Sequence, residues 1–241
     1  MKKTIKLLQV LIASICLVLG ATSTASAAAL TPIKTQLFLM VSSLKDKATP
    51  YSSLQPFVKG EAQLAWDYYS TRRMQQMYAR LDETGVVILW QAANITEARQ
   101  AIEQMPMVKA GLIGYKLTPV KYFSSLSSLF NTGTSVDFNV TTVAKAMQFV
   151  LITRPANGAS VDDISASAKD QALAIWQNYQ TGIFRQMFDI QNKPGSSAII
   201  MTADNIDDAT QIVEQLPLVK NMLIEYDLIP VGHFFPFSAL F

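Results

Sequence analysis

The sequence predicts an α+β protein in which one strand–helix–strand–strand–helix–strand unit occurs twice, with the two sheets packed together. Three observations carry this. First, Asn94 to Phe123 reads NITEARQAIEQMPMVKAGLIGYKLTPVKYF and Asn205 to Phe234 reads NIDDATQIVEQLPLVKNMLIEYDLIPVGHF, identical at 16 of 30 positions at a constant offset of 111. Chance does not give that match, and self-similarity at a fixed period marks a tandem duplication. Second, apolar residues within each copy switch between strand and helix periods. Third, the strands carry a second, semi-apolar face that helices on one side would leave uncovered.

The repeat extends in both directions. Trp66, Tyr69, Thr71, Gln76 and Met77 match Trp176, Tyr179, Thr181, Gln186 and Met187 at offset 110. The one-residue slip falls in the turn Asp82-Glu83-Thr84-Gly85 against Asn192-Lys193-Pro194-Gly195, where insertions are tolerated. Gln36-Leu37-Phe38-Leu39 aligns with Gln148-Phe149-Val150-Leu151, and Ser128-Leu129-Phe130 echoes Ala239-Leu240-Phe241. Two units are expected, over residues 33–130 and 145–241, joined by a linker over 131–144 whose start, Asn131-Thr132-Gly133-Thr134-Ser135, has loop composition.

In the second unit, Gln148 to Thr153 is apolar and β-branched and predicts a strand. Ser160-Val161-Asp162-Asp163 opens a helix through Tyr179, with Ile164, Ala168, Ala172, Ile175, Trp176 and Tyr179 at helical spacing. Ile183 to Gln191 predicts a second strand, Lys193-Pro194-Gly195 a turn, and Ser197 to Thr202 a third strand. Asp204 is placed to cap a helix through Gln215 that Pro217 ends, and Leu223 to Val231 predicts the last strand. The first unit repeats this order. The pattern βαββαβ is the ferredoxin-like arrangement. In the last strand Ile224, Tyr226 and Leu228 share the face expected against the helices, which leaves Glu225 and Asp227 toward the other sheet.

The N-terminus reads as an address. Lys2, Lys3 and Lys6 precede an apolar run from Leu7 to Ala21 and the small-residue stretch Thr22-Ser23-Thr24-Ala25-Ser26-Ala27. That is a signal peptide with cleavage expected after Ala27, which places the mature chain in the periplasm or outside the cell. Its removal takes three lysines and Cys16, the single cysteine, leaving 17 basic against 18 acidic residues and a net charge of −1. No disulfide or thiolate nucleophile is then available. No basic cluster is left for nucleic acid, and no further apolar run is long enough for a bilayer.

A resemblance adds to this reading. Leu216-Pro217-Leu218, Met222-Leu223-Ile224-Glu225 and Pro230-Val231-Gly232-His233, after a helix of the type Asp-x-Ala-x-x-Ile-Val-x-x-Leu, resemble the muconolactone isomerase-like family. The similarity covers roughly the last fifty residues of each unit. It implies a dimeric α+β barrel, made here within one chain from two ferredoxin-like units. It also implies isomerisation or cofactor-free oxygenation of small ring compounds. The first unit has Gly114 for Glu225 and Tyr122 for His233, so a carried-over site belongs to the second unit.

Glu225 is the first catalytic candidate. A carboxylate desolvated between the sheets would have a raised pKa and could move a proton between carbons next to a carbonyl. The alternative is a structural ion pair with Lys116 on the equivalent strand. His233, the only histidine, is the second candidate because histidine is the side chain whose unperturbed pKa lies near neutrality. Its alternative is plain packing beside Phe234-Phe235-Pro236-Phe237. Gln76 and Gln186 recur at equivalent places beside Tyr78 and Phe188. With Tyr78 and Lys116 they form the candidate ligand-binding set, unless the glutamines satisfy each other across the pseudo-twofold. Trp66, Tyr69, Trp176 and Tyr179, spaced i, i+3, read as core, and Arg72-Arg73 as a solvated helix end. One histidine without cysteine makes a metal site unexpected. Nucleotide and serine-hydrolase motifs are absent.

Two functions are expected. One is a cofactor-independent isomerase or related enzyme for a small apolar carbonyl or lactone compound. The other is a non-catalytic protein binding a small hydrophobic molecule or a protein partner. The sequence leaves open whether barrels pair further.

Overall fold

The computed structural model describes residues 35–124 and 144–234. Residues 1–34, 125–143 and 235–241 lie outside the described residues, and with them the expected leader, all of the expected linker but residue 144, and the Ser128-Leu129-Phe130 echo. The first half runs β1 (Gln36–Leu44), α1 (Gln55–Ser70), β2 (Met74–Arg80), β3 (Val86–Ala92), α2 (Ile95–Glu103), α3 (Pro106–Lys109) and β4 (Ile113–Tyr122). The second runs β5 (Met147–Pro155), α4 (Val161–Ala166), α5 (Ala168–Gln180), β6 (Phe184–Ile190), β7 (Ser197–Ala203), α6 (Ile206–Glu214), α7 (Pro217–Lys220) and β8 (Ile224–His233).

All eight strands close into one antiparallel barrel in the order β1-β3-β2-β8-β5-β7-β6-β4. The seams between halves are short. β2 meets β8 through Tyr78–His233, Ala79–Gly232 and Arg80–Val231, and β4 meets β6 through Val120–Ile190, Lys121–Asp189 and Tyr122–Phe188. What joins the halves is therefore mostly the lumen. Leu39, Val87, Leu89 and Val120 from the first half pack there with Val150, Phe188, Ile200, Ile229 and Val231 from the second. Burying such side chains contributes about 1.5–3 kcal/mol each. Two further cores fill the space between helices and sheet, around Phe38, Trp90 and Ile102 in one half and Phe149, Phe184 and Val213 in the other.

Several expectations change in detail. The helix expected from Ser160 to Tyr179 is broken at Ser167, a residue type that competes for backbone hydrogen bonds. Ser160 does cap α4, accepting from the Asp163 amide at 3.0 Å. Asn205, not Asp204, caps α6 by accepting from the Asp208 amide, and Asp204 instead pairs with Lys145 at 2.7 Å. Pro217 does not simply end a helix. It opens α7 from its first turn, where its missing N–H costs nothing.

Three of the four helix aromatics are exposed rather than core, and Trp176 is half-buried. Trp66, Tyr69 and Tyr179 are 44–48% exposed. The buried stripe of α1 is Ala62 and Ala65, and that of α5 is Gln171, Ala172 and Ile175. Trp66 follows Ala65 and turns out of the stripe. Each pair is a tilted ring contact instead, 6.1 Å for Trp66–Tyr69 and 5.7 Å for Trp176–Tyr179.

The duplication also exposes strain. After α1 the chain turns through Arg72 at φ 60°, where the second copy has Gly182 at φ 76°. After α7 it turns through Met222 at φ 56°, where the first copy has Gly111 at φ 76°. A left-handed non-glycine residue costs about 1–2 kcal/mol. Met222 is 82% exposed and brings little packing in return. Met222→Gly should therefore raise stability by roughly 0.5–1 kcal/mol after the added freedom of the unfolded chain is subtracted. Urea unfolding of the two proteins checks this, and a loss of stability would contradict it.

Candidate functional site

Because neighbouring strands are antiparallel around the barrel, the N-terminal ends of β1, β2, β5 and β6 share one rim with the C-terminal ends of β3, β4, β7 and β8. The expected site residues divide between the two rims. Gln76 sits opposite Leu89 and Gln186 opposite Ile200, so both glutamines share the lumen-facing side of their strands near the first rim. His233 closes β8 at that rim, its backbone paired with Tyr78. Glu225 and Lys116 lie toward the opposite rim, at the starts of β8 and β4.

Glu225 is not the desolvated carboxylate expected. Its side chain is 52% exposed and accepts from Arg154 Nε at 3.1 Å, while Asp227 takes Arg154 Nη1 at 2.7 Å. Nor does it pair with Lys116, which is exposed on β4. The face was right and the depth was wrong. Ile229 and Val231, further along the same face of β8, are the residues that enter the lumen.

At the first rim Gln76 and Gln186 line one cavity of about 600 Å³, together with Tyr122, Phe123, Trp176, Tyr179 and Arg185. Leu89 and Phe188 also line it and belong to the packed lumen. The glutamines do not satisfy each other. Tyr78 Oη donates to Gln76 Oε1 at 3.2 Å, and burial pushes the Tyr78 hydroxyl pKa up. Gln186 Oε1 is buried without a hydrogen-bond partner. A buried acceptor in that state costs about 1–3 kcal/mol. Gln76, Gln186 and Tyr78 are thus brought together, and Lys116 is not among them. Both strands carry a register shift just before their glutamine, between Met74 and Gln76 and between Phe184 and Gln186. Such bulges re-aim side chains.

A second cavity was not legible in the sequence. It lies in the first half between α1 and the sheet, measures about 560 Å³, and is lined by Met40, Leu54, Ala65, Ile88, Trp90 and Met107 among others. Its carboxylate is Glu61 on α1, whose Oε2 accepts from the Met107 amide at 2.9 Å. Burial raises the Glu61 pKa, and the Met107 hydrogen bond only partly offsets this.

These features define an α+β barrel class in which eight antiparallel strands close into one sheet. No protein-family model matches the sequence, and no curated protein matches it. Solved structures match the fold. A variant of chlorite dismutase from Candidatus Nitrospira defluvii in complex with cyanide superposes with a TM-score of 0.53 at 9% identity, covering 86% of this chain and 93% of that one. The same enzyme in complex with imidazole gives 0.53 at 9% identity over 86% and 94%. At this identity the likeness shows the fold, an α+β barrel with an eight-stranded antiparallel sheet. It does not single out the muconolactone isomerase-like family within that class.

Proposed function

We propose that the chain is an exported protein that binds a small, mostly apolar molecule at the glutamine rim of its barrel, without acting as a catalyst there. In this reading each half is a ferredoxin-like unit, and the leader is removed after Ala27. The observation that carries it is the convergence of Gln76 and Gln186, one from each half, on a single cavity in which the Gln186 carbonyl is orphaned. Aromatic walls and a few placed polar groups suit a small ligand. A hydroxyl or N–H on the ligand would satisfy Gln186.

The isomerase reading is weaker. Its proton shuttle, Glu225, is half exposed and ion-paired toward the opposite rim, with a packed lumen in between.

The test is calorimetric titration of the chain from Ala28 with a panel of lactones and quinones, alongside Gln186→Leu and Glu225→Gln. A ligand should bind the parent protein and Glu225→Gln alike, and Gln186→Leu about 10–100-fold more weakly. Turnover that disappears in Glu225→Gln would replace binding with catalysis.

A further inference from the structure

The duplication supplies an internal control for the helix–sheet cavity. The second half has the same pocket, lined by Ile164, Ala168, Gln171, Ile175, Ser196 and Leu218 among others, but it measures only about 100 Å³. At offsets of 110 and 111 these match Leu54, Val58, Glu61, Ala65, Gly85 and Met107 of the larger cavity. Phe123 and Phe234 correspond as well.

Two differences account for the space. Ile175, 2% exposed, fills the second-half pocket where the first half has Ala65. In addition, Ile164, Leu218 and Ile224 form a small core of their own beside that pocket. Their counterparts Leu54, Met107 and Ile113 line open space instead. One copy is largely filled and the other is not.

The polar group differs in a telling way too. Gln171 Oε1 accepts from the Leu218 amide at 3.0 Å, just as Glu61 Oε2 accepts from Met107. The neutral amide is thus sufficient to hold the short helix in place. Glu61 supplies the same acceptor and adds a second carboxyl oxygen to a mostly apolar cavity, whose other polar lining residues are Ser42, Tyr51, Arg80 and Thr84.

We propose that the first-half helix–sheet cavity is a binding site for a small apolar molecule carrying one hydroxyl or amine, which donates to the free oxygen of Glu61. About 560 Å³ lies within the roughly 300–1,000 Å³ of small-molecule pockets. The apolar walls, including Trp90 and Met40, hold water poorly. This site is independent of the glutamine rim and sits between helix and sheet rather than at the barrel mouth.

The experiment titrates the chain from Ala28 with 1-naphthol, 1-naphthylamine and 1-methylnaphthalene, reading tryptophan fluorescence and the midpoint of thermal unfolding. Naphthol or naphthylamine should bind at least about tenfold more tightly than methylnaphthalene, and which of the two is preferred identifies the donor. Ala65→Ile, which copies the second half, should abolish binding of all three. Glu61→Gln, which copies Gln171, should keep the fold and methylnaphthalene binding while losing the preference for the probe with a donor. Gln186→Leu should change nothing here, which separates this site from the rim. Equal binding of the three probes, a preference that survives Glu61→Gln, or binding that survives in Ala65→Ile would each overturn the proposal.

Discussion

Phe188→Ala should destabilise the protein by about 4 kcal/mol, lowering Tm by roughly 8–16 °C for a chain of this size. Phe188 is 4% exposed in the lumen and lies on the seam where β4 meets β6, opposite Tyr122. Their rings are 5.9 Å apart. Three residue pairs per seam are too few to hold the halves together, so the ring carries load from both. Because lumen residues come from both halves, thermal unfolding of parent and variant should each show one transition, displaced as a whole. A change below about 1 kcal/mol would mean that the site can collapse or that the lumen is loosely packed. Two separate transitions would mean that the halves are stable alone. Phe188 also lines the glutamine cavity, so ligand affinity there should fall with stability.

Most of the fold could be read from period and repeat. Gln148 to Thr153 and Ser197 to Thr202 are strands with bounds off by one or two residues, since a short apolar run between turn signals leaves few alternatives. The alternation along β8 correctly put Ile224, Tyr226 and Leu228 toward the helices. It could not say where along the strand the lumen begins. That depends on the stagger of β2 against β8, a contact between residues more than a hundred positions apart, and it decides that Ile229 is inside while Glu225 is at the edge. The glutamine pair was legible because both copies kept it. Glu61 was not, because a single glutamate on an amphipathic helix reads as solvent-facing. Two signals could have found it. Glu61 lies four residues before Ala65, on the side of the helix that Ala62 and Ala65 mark as buried, and its counterpart is an uncharged Gln171. Where two copies of one unit differ between a charged and a neutral residue of the same shape, the position is more informative than a variable surface site.

Gly85→Ala and Ser196→Ala should have opposite effects, although the two residues occupy equivalent places before β3 and β7. A Cβ at Gly85 would lie 2.1 Å from the Ser42 carbonyl oxygen and 2.9 Å from its carbon, backbone atoms that cannot rotate away. The cause of this crowding is one strand over. The Leu44 amide donates to the Thr84 carbonyl at 3.2 Å and draws the turn onto the end of β1. The pairing with the last strand of each half offsets β5 from β1 by 111 rather than by the 112 of the Gln36–Gln148 match, so the residue equivalent to Leu44 is Pro155, which has no N–H to donate. The turn there is also one residue longer, and it carries a side chain at Ser196 in place of glycine. Relieving the clash at Gly85 would require breaking the Leu44 bond or shifting β3, so Gly85→Ala should cost about 3 kcal/mol. Ser196 is 4% exposed and its hydroxyl is buried without a partner, so removing that oxygen should gain up to about 1 kcal/mol. Urea midpoints of the two variants against the parent decide the matter. Similar losses at both positions would show that the turns are interchangeable and that the Leu44 bond does not set the spacing. A loss at Gly85 with a gain at Ser196 would show that a single backbone donor, present in one copy and replaced by proline in the other, determines which residue each turn accepts.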